Sequence, residues 1–387
     1  MKKNKNSIFT IGILAALVIT IGGFYFQSEQ SIAQENTGFT IENNQTRELI
    51  VEGKNYEEKV KIAAIGDILI HDTVFFDAAT DDGFDFKPML APVKDILVKP
   101  DILLANQETI LGGLELGLSG YPTFNSPQEV GEAIIDAGVD IVSNANNHTL
   151  DKGEKGIQTS LSYLSEVGLP YVGSFKDSED KQRLRVLDHN GVKIAYLSYT
   201  YGTNGIPVPE GKDFLVNLIE KEAMKAEIHR AKEVSDVVVM SIHWGNEYQR
   251  FPDDIQKDLA HFIVNEGVDI IFGHHPHVLQ PMEWIQADDG RQAFVIYSLG
   301  NFLSGQMWDY KDIGGLVSLD IIKRITPNGT SVELANPEFT PTYVSSNEQR
   351  NYRVVPLEEA GKYGLDNAAT KYKEINAHMT ELLKKAN

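Results

Sequence analysis

Gly267-Val268-Asp269-Ile270-Ile271-Phe272-Gly273-His274-His275-Pro276-His277 is the stretch that decides the fold. Its apolar run has the length of a buried strand, and it stops abruptly at a cluster holding three of the chain's ten histidines. Upstream, from about Pro252 to Glu266, Ile255, Leu259, Phe262 and Ile263 recur at helical spacing, and Gly267 closes the helix. A helix feeding a strand that ends in ligand-competent side chains is a unit of α/β architecture, in which ligands bind beyond the carboxyl ends of strands. Imidazole is a common metal ligand, and alternation around Pro276 aims two rings the same way, so this segment predicts metal binding.

The same grammar recurs four more times. Ser126 reads as a helix cap, with Pro127 in the first turn and Glu129 completing a capping box. Val130, Ala133, Ile134 and Ala137 share one face of that helix, and Gly138 ends it. Gly138-Val139-Asp140-Ile141-Val142 follows and runs into Asn147 and His148. Asp101–Leu104 runs into Asn106 and Glu108, Asp236–Met240 into His243, and Lys61–Ile65 into Gly66-Asp67. Taken singly, each polar residue reads as a turn former or a structural side chain. Five apolar runs delivering such groups at one end argue for a shared site.

Within that site, Gly66 allows a sharp turn that aims the Asp67 carboxylate off the sheet end. Carboxylates such as Asp67 and Glu108 are hard ligands able to bridge two cations. The Asn147 amide oxygen can ligate a metal and leave His148 free as an acid or base, with Asp151 placed in sequence to orient it. His71 and Asp72 are expected near the mouth without ligating. Asn301, in Tyr297-Ser298-Leu299-Gly300-Asn301-Phe302, lines the site or forms a turn, and its motif lacks the glycine-flanked serine of a hydrolase elbow. Asn190-Gly191 predicts a hairpin between Leu184–Leu187 and Val192–Ser198.

Composition narrows the function classes. The 387 residues are 42% hydrophobic, enough for a large core, and carry a formal net charge of −20. Such an acidic chain without a basic stripe is not expected to bind nucleic acid. There is no cysteine, which excludes disulfides, thiolate metal sites and a cysteine nucleophile. Lys2, Lys3 and Lys5 precede an uncharged run from Ile8 to Phe26. At about 1.5 Å per residue, that run just spans a bilayer core of roughly 30 Å, with the lysines inside and the body outside. Ser31-Ile32-Ala33 resembles a cleavage site, so a removed signal is the alternative to an anchor. The expected organisation is an anchor or signal over 1–27, a polar linker over 28–56, an α/β domain over 57–345, and an extension over 346–387 with a terminal helix from Lys371 to Lys385.

Together, Gly66-Asp67, Asn106-Gln107-Glu108, Ser143 to His148 with Asp151, His243-Trp244-Gly245, Gly273 to His277 and Tyr297 to Phe302 resemble the poly-γ-glutamate capsule-synthesis family, the CapA-type proteins. The resemblance covers roughly Glu57 to Ser304. That family in turn resembles the calcineurin-like metallophosphoesterases, which implies a two-sheet α/β sandwich with a centre of one or two divalent ions (Mn, Fe or Zn). It implies ligand roles for Asp67, Glu108, Asn147, His243, His275 and His277, and an acid–base role for His148. Two departures matter. The phosphoesterase Asp-x-His has Leu69 in place of its histidine, and Glu108 stands where that pattern has Asp.

The implied function is a cell-surface metal-binding protein in poly-γ-glutamate or related surface-polymer synthesis, export or anchoring. Its implied partners are the polymer or its precursor and membrane-bound synthase subunits. A secreted metal-dependent phosphoesterase and a non-catalytic subunit of a membrane polymer synthase are the alternatives.

Overall fold

The computed structural model describes residues 55–383, so the expected anchor over 1–27 lies outside the described residues. No helix among the described residues is long and apolar enough to cross a membrane.

The chain enters on β1 (Tyr56–Leu69), which pairs in parallel with β2 (Ile102–Gln107); β3 (Ile141–Ser143) and β4 (Tyr171–Val172) continue that parallel run. It then crosses to a second sheet through the expected hairpin, β5 (Arg185–His189) and β6 (Val192–Thr200). That sheet adds β7 (Val237–His243), β8 (Ile270–His274), β9 (Leu279–Gln286) and β10 (Gln292–Leu299), in the order β9-β10-β8-β7-β6-β5. β11 (Asn301–Ser304) returns to pair with β1. Finally β12 (Ile313–Thr326), β13 (Gly329–Asn347) and β14 (Arg350–Pro356) extend the first sheet as β14-β13-β12-β1-β2-β3-β4.

Alternation along the strands makes the layers. In β1, Ile62 and Ala64 join Ile194, Val239, Ile270 and Phe294 in the core between the two sheets. Ala63 and Ile65 point the other way, onto Val130, Ile134, Ile157 and Leu161 of the flanking helices Glu129–Asp136 and Gly153–Glu166. The second sheet's outer face packs Val238, Met240 and Ile271 against Met224, Ile228, Leu259 and Ile263 of helices Lys221–Val234 and Asp254–Glu266. The result is a helix/sheet/sheet/helix sandwich, the expected α/β class. Each fully buried Ile or Val contributes roughly 1.5–3 kcal/mol to this core.

The aspartates that open four of the five apolar runs have a common job. Asp101, Asp140, Asp236 and Asp269 accept, at 2.8–2.9 Å, the backbone N–H of Lys61, Leu103, Lys193 and Val238 on the neighbouring parallel strand. Each thereby clips one strand to the next at the amino ends of the sheets.

Four expectations are corrected. Ser126 does not cap the Glu129–Asp136 helix, because its backbone is held in the loop by Ile110 and its Oγ donates to Thr109 Oγ1 at 2.8 Å. Ile255 faces solvent rather than the core: Asp253 and Gln256 form the capping box, and Gln256 turns inward to Gln280. The boundary expected at 345/346 falls inside β13, and Tyr352 and Val354 of β14, beyond it, lie in the core. The terminal helix spans Ala368–Met379 and buries Ile375 and Met379 beneath the sheets.

Candidate metal centre

The carboxyl ends of β1, β2, β7 and β8, with the loops after β3 and β8, meet at one place. Asp67 reaches it through a β-bulge. Ile65 pairs with Ala105 and Asp67 with Asn106, so Gly66 is the extra residue that re-aims the carboxylate. Gly66 is required for a reason other than a sharp turn: a Cβ there would collide with the Gly300 carbonyl, whose oxygen accepts the Asp67 N–H at 2.8 Å. Gly273 is under the same constraint from the Tyr297 carbonyl and Trp244.

All six expected ligands lie within this one cluster. Asp67 Oδ2 is 3.2 Å from His277 Nδ1, and Asp67 Oδ1 accepts from Asn106 Nδ2 at 2.8 Å and lies 3.2 Å from His274 Nδ1. Glu108 Oε1 lies 3.8 Å from His277 Nε2 and 3.6 Å from His243 Nε2. His243 Nε2 in turn sits 2.9 Å from Asn147 Oδ1. The His275 ring is centred 4.8 Å from that of His243 and 5.9 Å from that of His277. His275 and His277 hold φ of 95° and 58°, left-handed conformations that cost side-chain-bearing residues of order 1–3 kcal/mol and that cluster at functional sites.

The electrostatics follow from burial. Burial pushes the Asp67 carboxyl up, but the neighbouring His274 and His277 imidazoles outweigh it and hold the group well below the carboxylate range. Glu108 is raised well above it, by burial first and then by the charges of Asp67, Glu247 and Asp151. Burial and the neighbouring His275 keep His243 well below the usual imidazole range, and burial with His277 lowers His275 to about 3.

A divalent ion fits this donor set. Both Glu108 oxygens, Nδ1 of His243 and His275, and both His274 nitrogens are buried without a hydrogen-bond partner. Unpaired polar atoms at this density are costly in a folded core and are relieved by a cation. Oxygen and imidazole donors without sulfur suit Mn, Fe or Zn. Asp67, Glu108 and His277 offer ligand atoms within 4.8 Å of one another, and so do Glu247, His275 and His277.

Beside the cluster, His148 Nδ1 lies 2.8 Å from Asp151 Oδ2, and that oxygen also accepts the Phe124 N–H at 2.6 Å. Phe124 packs edge-on against His148, with ring centroids 4.7 Å apart, and against His71 at 5.1 Å. His71 stays out of the cluster. Its Nδ1 lies 3.0 Å from the Leu69 carbonyl oxygen and 3.2 Å from the Gly305 nitrogen, and burial lowers its pKa to about 4. His148, His277, Leu69, Glu247, Tyr121 and Tyr248 line one cleft of about 290 Å³. Asn301 belongs to the site, with Oδ1 3.1 Å from His277 Nδ1.

Sequence reading missed Glu247, Asn204 and the tyrosines. Asn204 pairs with Asn147 at 3.2 Å from a loop without periodicity. The Tyr201 ring lies 4.6 Å from that of His275, tilted by 44°. Glu247 had a signal: it is a carboxylate four residues beyond His243, where a strand has just ended.

A family model described as bacterial capsule synthesis protein PGA_cap matches residues 61–306. The capsule biosynthesis protein CapA of Bacillus anthracis is 32% identical over 237 residues, 59% of this chain and 55% of that protein. The PGA biosynthesis protein CapA of Bacillus subtilis is 31% identical over 228 residues, 57% of each. The chain thus spans little more than half the length of these curated relatives. Among solved structures, the calcineurin-like phosphoesterase YfkN of Bacillus subtilis aligns with a TM-score of 0.40 and 16% identity, over 82% of this chain and 100% of that one. The family match covers more than half of the chain and takes in every strand end of the centre, and the chain belongs to the bacterial capsule synthesis protein family.

Proposed function

We propose that this chain is a cell-surface metal-binding protein acting in the synthesis, export or anchoring of poly-γ-glutamate or a related surface polymer. The relatives named for capsule and PGA biosynthesis support the polymer. The single observation that carries the metal is Glu108, a fully buried carboxylate with neither oxygen hydrogen-bonded, facing Asp67, His243 and His277. The lysines and apolar run before Phe26 support a membrane-anchored, extracellular body, and synthase subunits in that membrane are the partners this placement offers.

One or two Mn, Fe or Zn ions held by Asp67, Glu108, Asn147, His243, His275 and His277 would polarise a carbonyl or phosphoryl oxygen and acidify water. The protein supplies the proton handling. The Asp151 carboxylate holds the Nδ1–H of His148, which leaves Nε2 to accept or release a proton in the cleft. Phe124 keeps water from one face of that imidazole. A chain of net charge −20 repels a polyanion, so the cation and Lys311, whose Nζ sits 5.3 Å over the Tyr248 ring at the cleft, supply the local positive field.

The test is genetic and chemical together. Deleting the gene should abolish surface polymer. The intact chain should restore it, and the His148→Ala and Asp67→Ala variants should not. Purified protein should carry one or two equivalents of metal, lost in Asp67→Ala and His275→Ala. Unchanged polymer in the deletion strain would overturn the reading. Full restoration by His148→Ala would leave a metal-bearing assembly subunit in place of an enzyme.

A further inference from the structure

Beside the buried group of Asp67, Glu108 and His277 lies a second set of possible donors at the cleft. We propose that Glu247, in the loop after β7, is a metal ligand. Its carboxylate, with His275 and His277, then forms the outer half of the metal centre, a site for a second divalent cation facing the cleft. The proposal rests on the metal-centre reading and assigns one residue within it.

Five observations converge. Glu247, His275 and His277 offer ligand atoms within 4.8 Å of one another. Glu247 lines the same cleft as Leu69, His277 and His148. The loop is also fixed to the histidine segment by its backbone, since Trp244 N donates to His274 O at 3.1 Å and Tyr248 N to Pro276 O at 2.8 Å. Gly245 and Tyr248, on either side of Glu247, take φ of 81° and 66°, the tight path that turns residue 247 back toward His275. Finally, His275 is 3% exposed and its Nδ1 has no hydrogen-bond partner. A buried imidazole with an unused lone pair beside a carboxylate is a ligand pair awaiting a cation.

The division of labour at His277 fits. Its Nδ1 faces two oxygens, Asn301 Oδ1 at 3.1 Å and Asp67 Oδ2 at 3.2 Å, so Nδ1 carries the proton. Nε2 is left with a lone pair for a metal. A carboxylate from the exposed rim makes this half of the centre anionic and open to solvent. It would hold its cation less tightly than the buried half formed around Asp67 and Glu108.

The experiment is metal titration of the full chain by calorimetry and elemental analysis, using Mn²⁺ and Zn²⁺ alone. Wild type, Glu247→Gln and Glu247→Asp are compared. Glu247 is exposed, so its substitution leaves the fold intact, and thermal unfolding of the metal-free proteins checks this. Two equivalents in wild type are expected. Glu247→Gln should lose the weaker one by about 100-fold or more in affinity while keeping the tighter, and Glu247→Asp should retain it in part. Two equivalents of unchanged affinity in Glu247→Gln would overturn the assignment while leaving the metal centre standing. One equivalent in wild type, unaffected by Glu247→Gln, would overturn it too. No metal in wild type would overturn both the assignment and the reading beneath it.

Discussion

The two ends of the strands carry the same kind of side chain and treat it in opposite ways. At the amino ends, Asp140 and Asp269 stay partly exposed, and each carboxylate is matched to a backbone N–H on the adjacent strand. At the carboxyl ends, Glu108 is fully buried, yet neither of its oxygens has a hydrogen-bond partner. Burial without a partner is what separates the two ends. The satisfied carboxylates hold the sheet together, and the unsatisfied one signals a ligand. Buried polar groups left unpaired cost about 1–3 kcal/mol each, so such a group persists only where something else in the protein's working state repays it.

The largest effect expected from breaking this contrast is at Glu108. In metal-free protein near neutral pH, Glu108→Gln should raise stability by about 1–3 kcal/mol, since the amide, unlike the carboxyl, gains nothing by ionising in the unfolded chain. The sign with pH is fixed. A carboxyl raised by burial keeps its proton in the folded chain and loses it in the unfolded chain above about 4.5. Wild-type stability therefore falls relative to the variant as pH rises from there toward the folded value. Metal reverses the order: a cation at 100 times its Kd stabilises wild type by about 2.7 kcal/mol, and Glu108→Gln gains much less. Chemical denaturation at pH 5 and pH 7.5, with and without metal, measures all four terms. If Glu108→Gln destabilises the metal-free protein, the two ends of the sheets are alike after all.

The contrast also explains what the sequence made legible. The apolar runs and the polar groups after them are local features, so α/β class and five of the strand ends follow from spacing alone. The aspartate in Gly-Val-Asp-Ile was visible as a repeat, but its role was not, because the N–H it accepts belongs to another strand. The Asp67–His277 contact crosses 210 positions and the Thr73–Tyr352 contact 279, which no local pattern encodes. The same limit hid β14. Its residues look like a tail by composition and become a strand only against β13. Ile255 failed for another reason: helical spacing admits two neighbouring faces, and the buried Gln256–Gln280 hydrogen bond selects the one a hydrophobicity count disfavours.

The next effect tests the satisfied end. Asp269 accepts the Val238 N–H at 2.9 Å and pairs with Arg291 Nη1 at 2.7 Å. Asp269→Ala leaves a strand N–H and a guanidinium short of a partner and should cost about 2 kcal/mol in urea unfolding. Asp269→Asn, which keeps an acceptor, should cost less. Metal content should not change in either variant, because Asp269 sits at the opposite end of β8 from the centre. Loss of metal in a stably folded Asp269→Ala protein would show that the clips set the geometry of the centre as well as the stability of the sheet.

The smallest effect is expected at Asp101, which makes the same clip with its side chain 39% exposed. When its carboxylate is removed, water can reach the Lys61 N–H, so Asp101→Ala should cost no more than about 0.5–1 kcal/mol. Asp101 also anchors β2 to β1, the pair whose bulge aims Asp67. The two roles separate by measurement. If the clip contributes only its own hydrogen bond, Asp101→Ala shifts the unfolding midpoint slightly and leaves metal affinity alone. If the register of β1 against β2 depends on it, metal affinity falls while the midpoint barely moves. The sheet carries several clips and a continuous core on both faces of β1, and Gly66 is already locked by the Gly300 carbonyl. The first outcome is the one this packing dictates, with stability loss ordered by burial from Asp269 to Asp101.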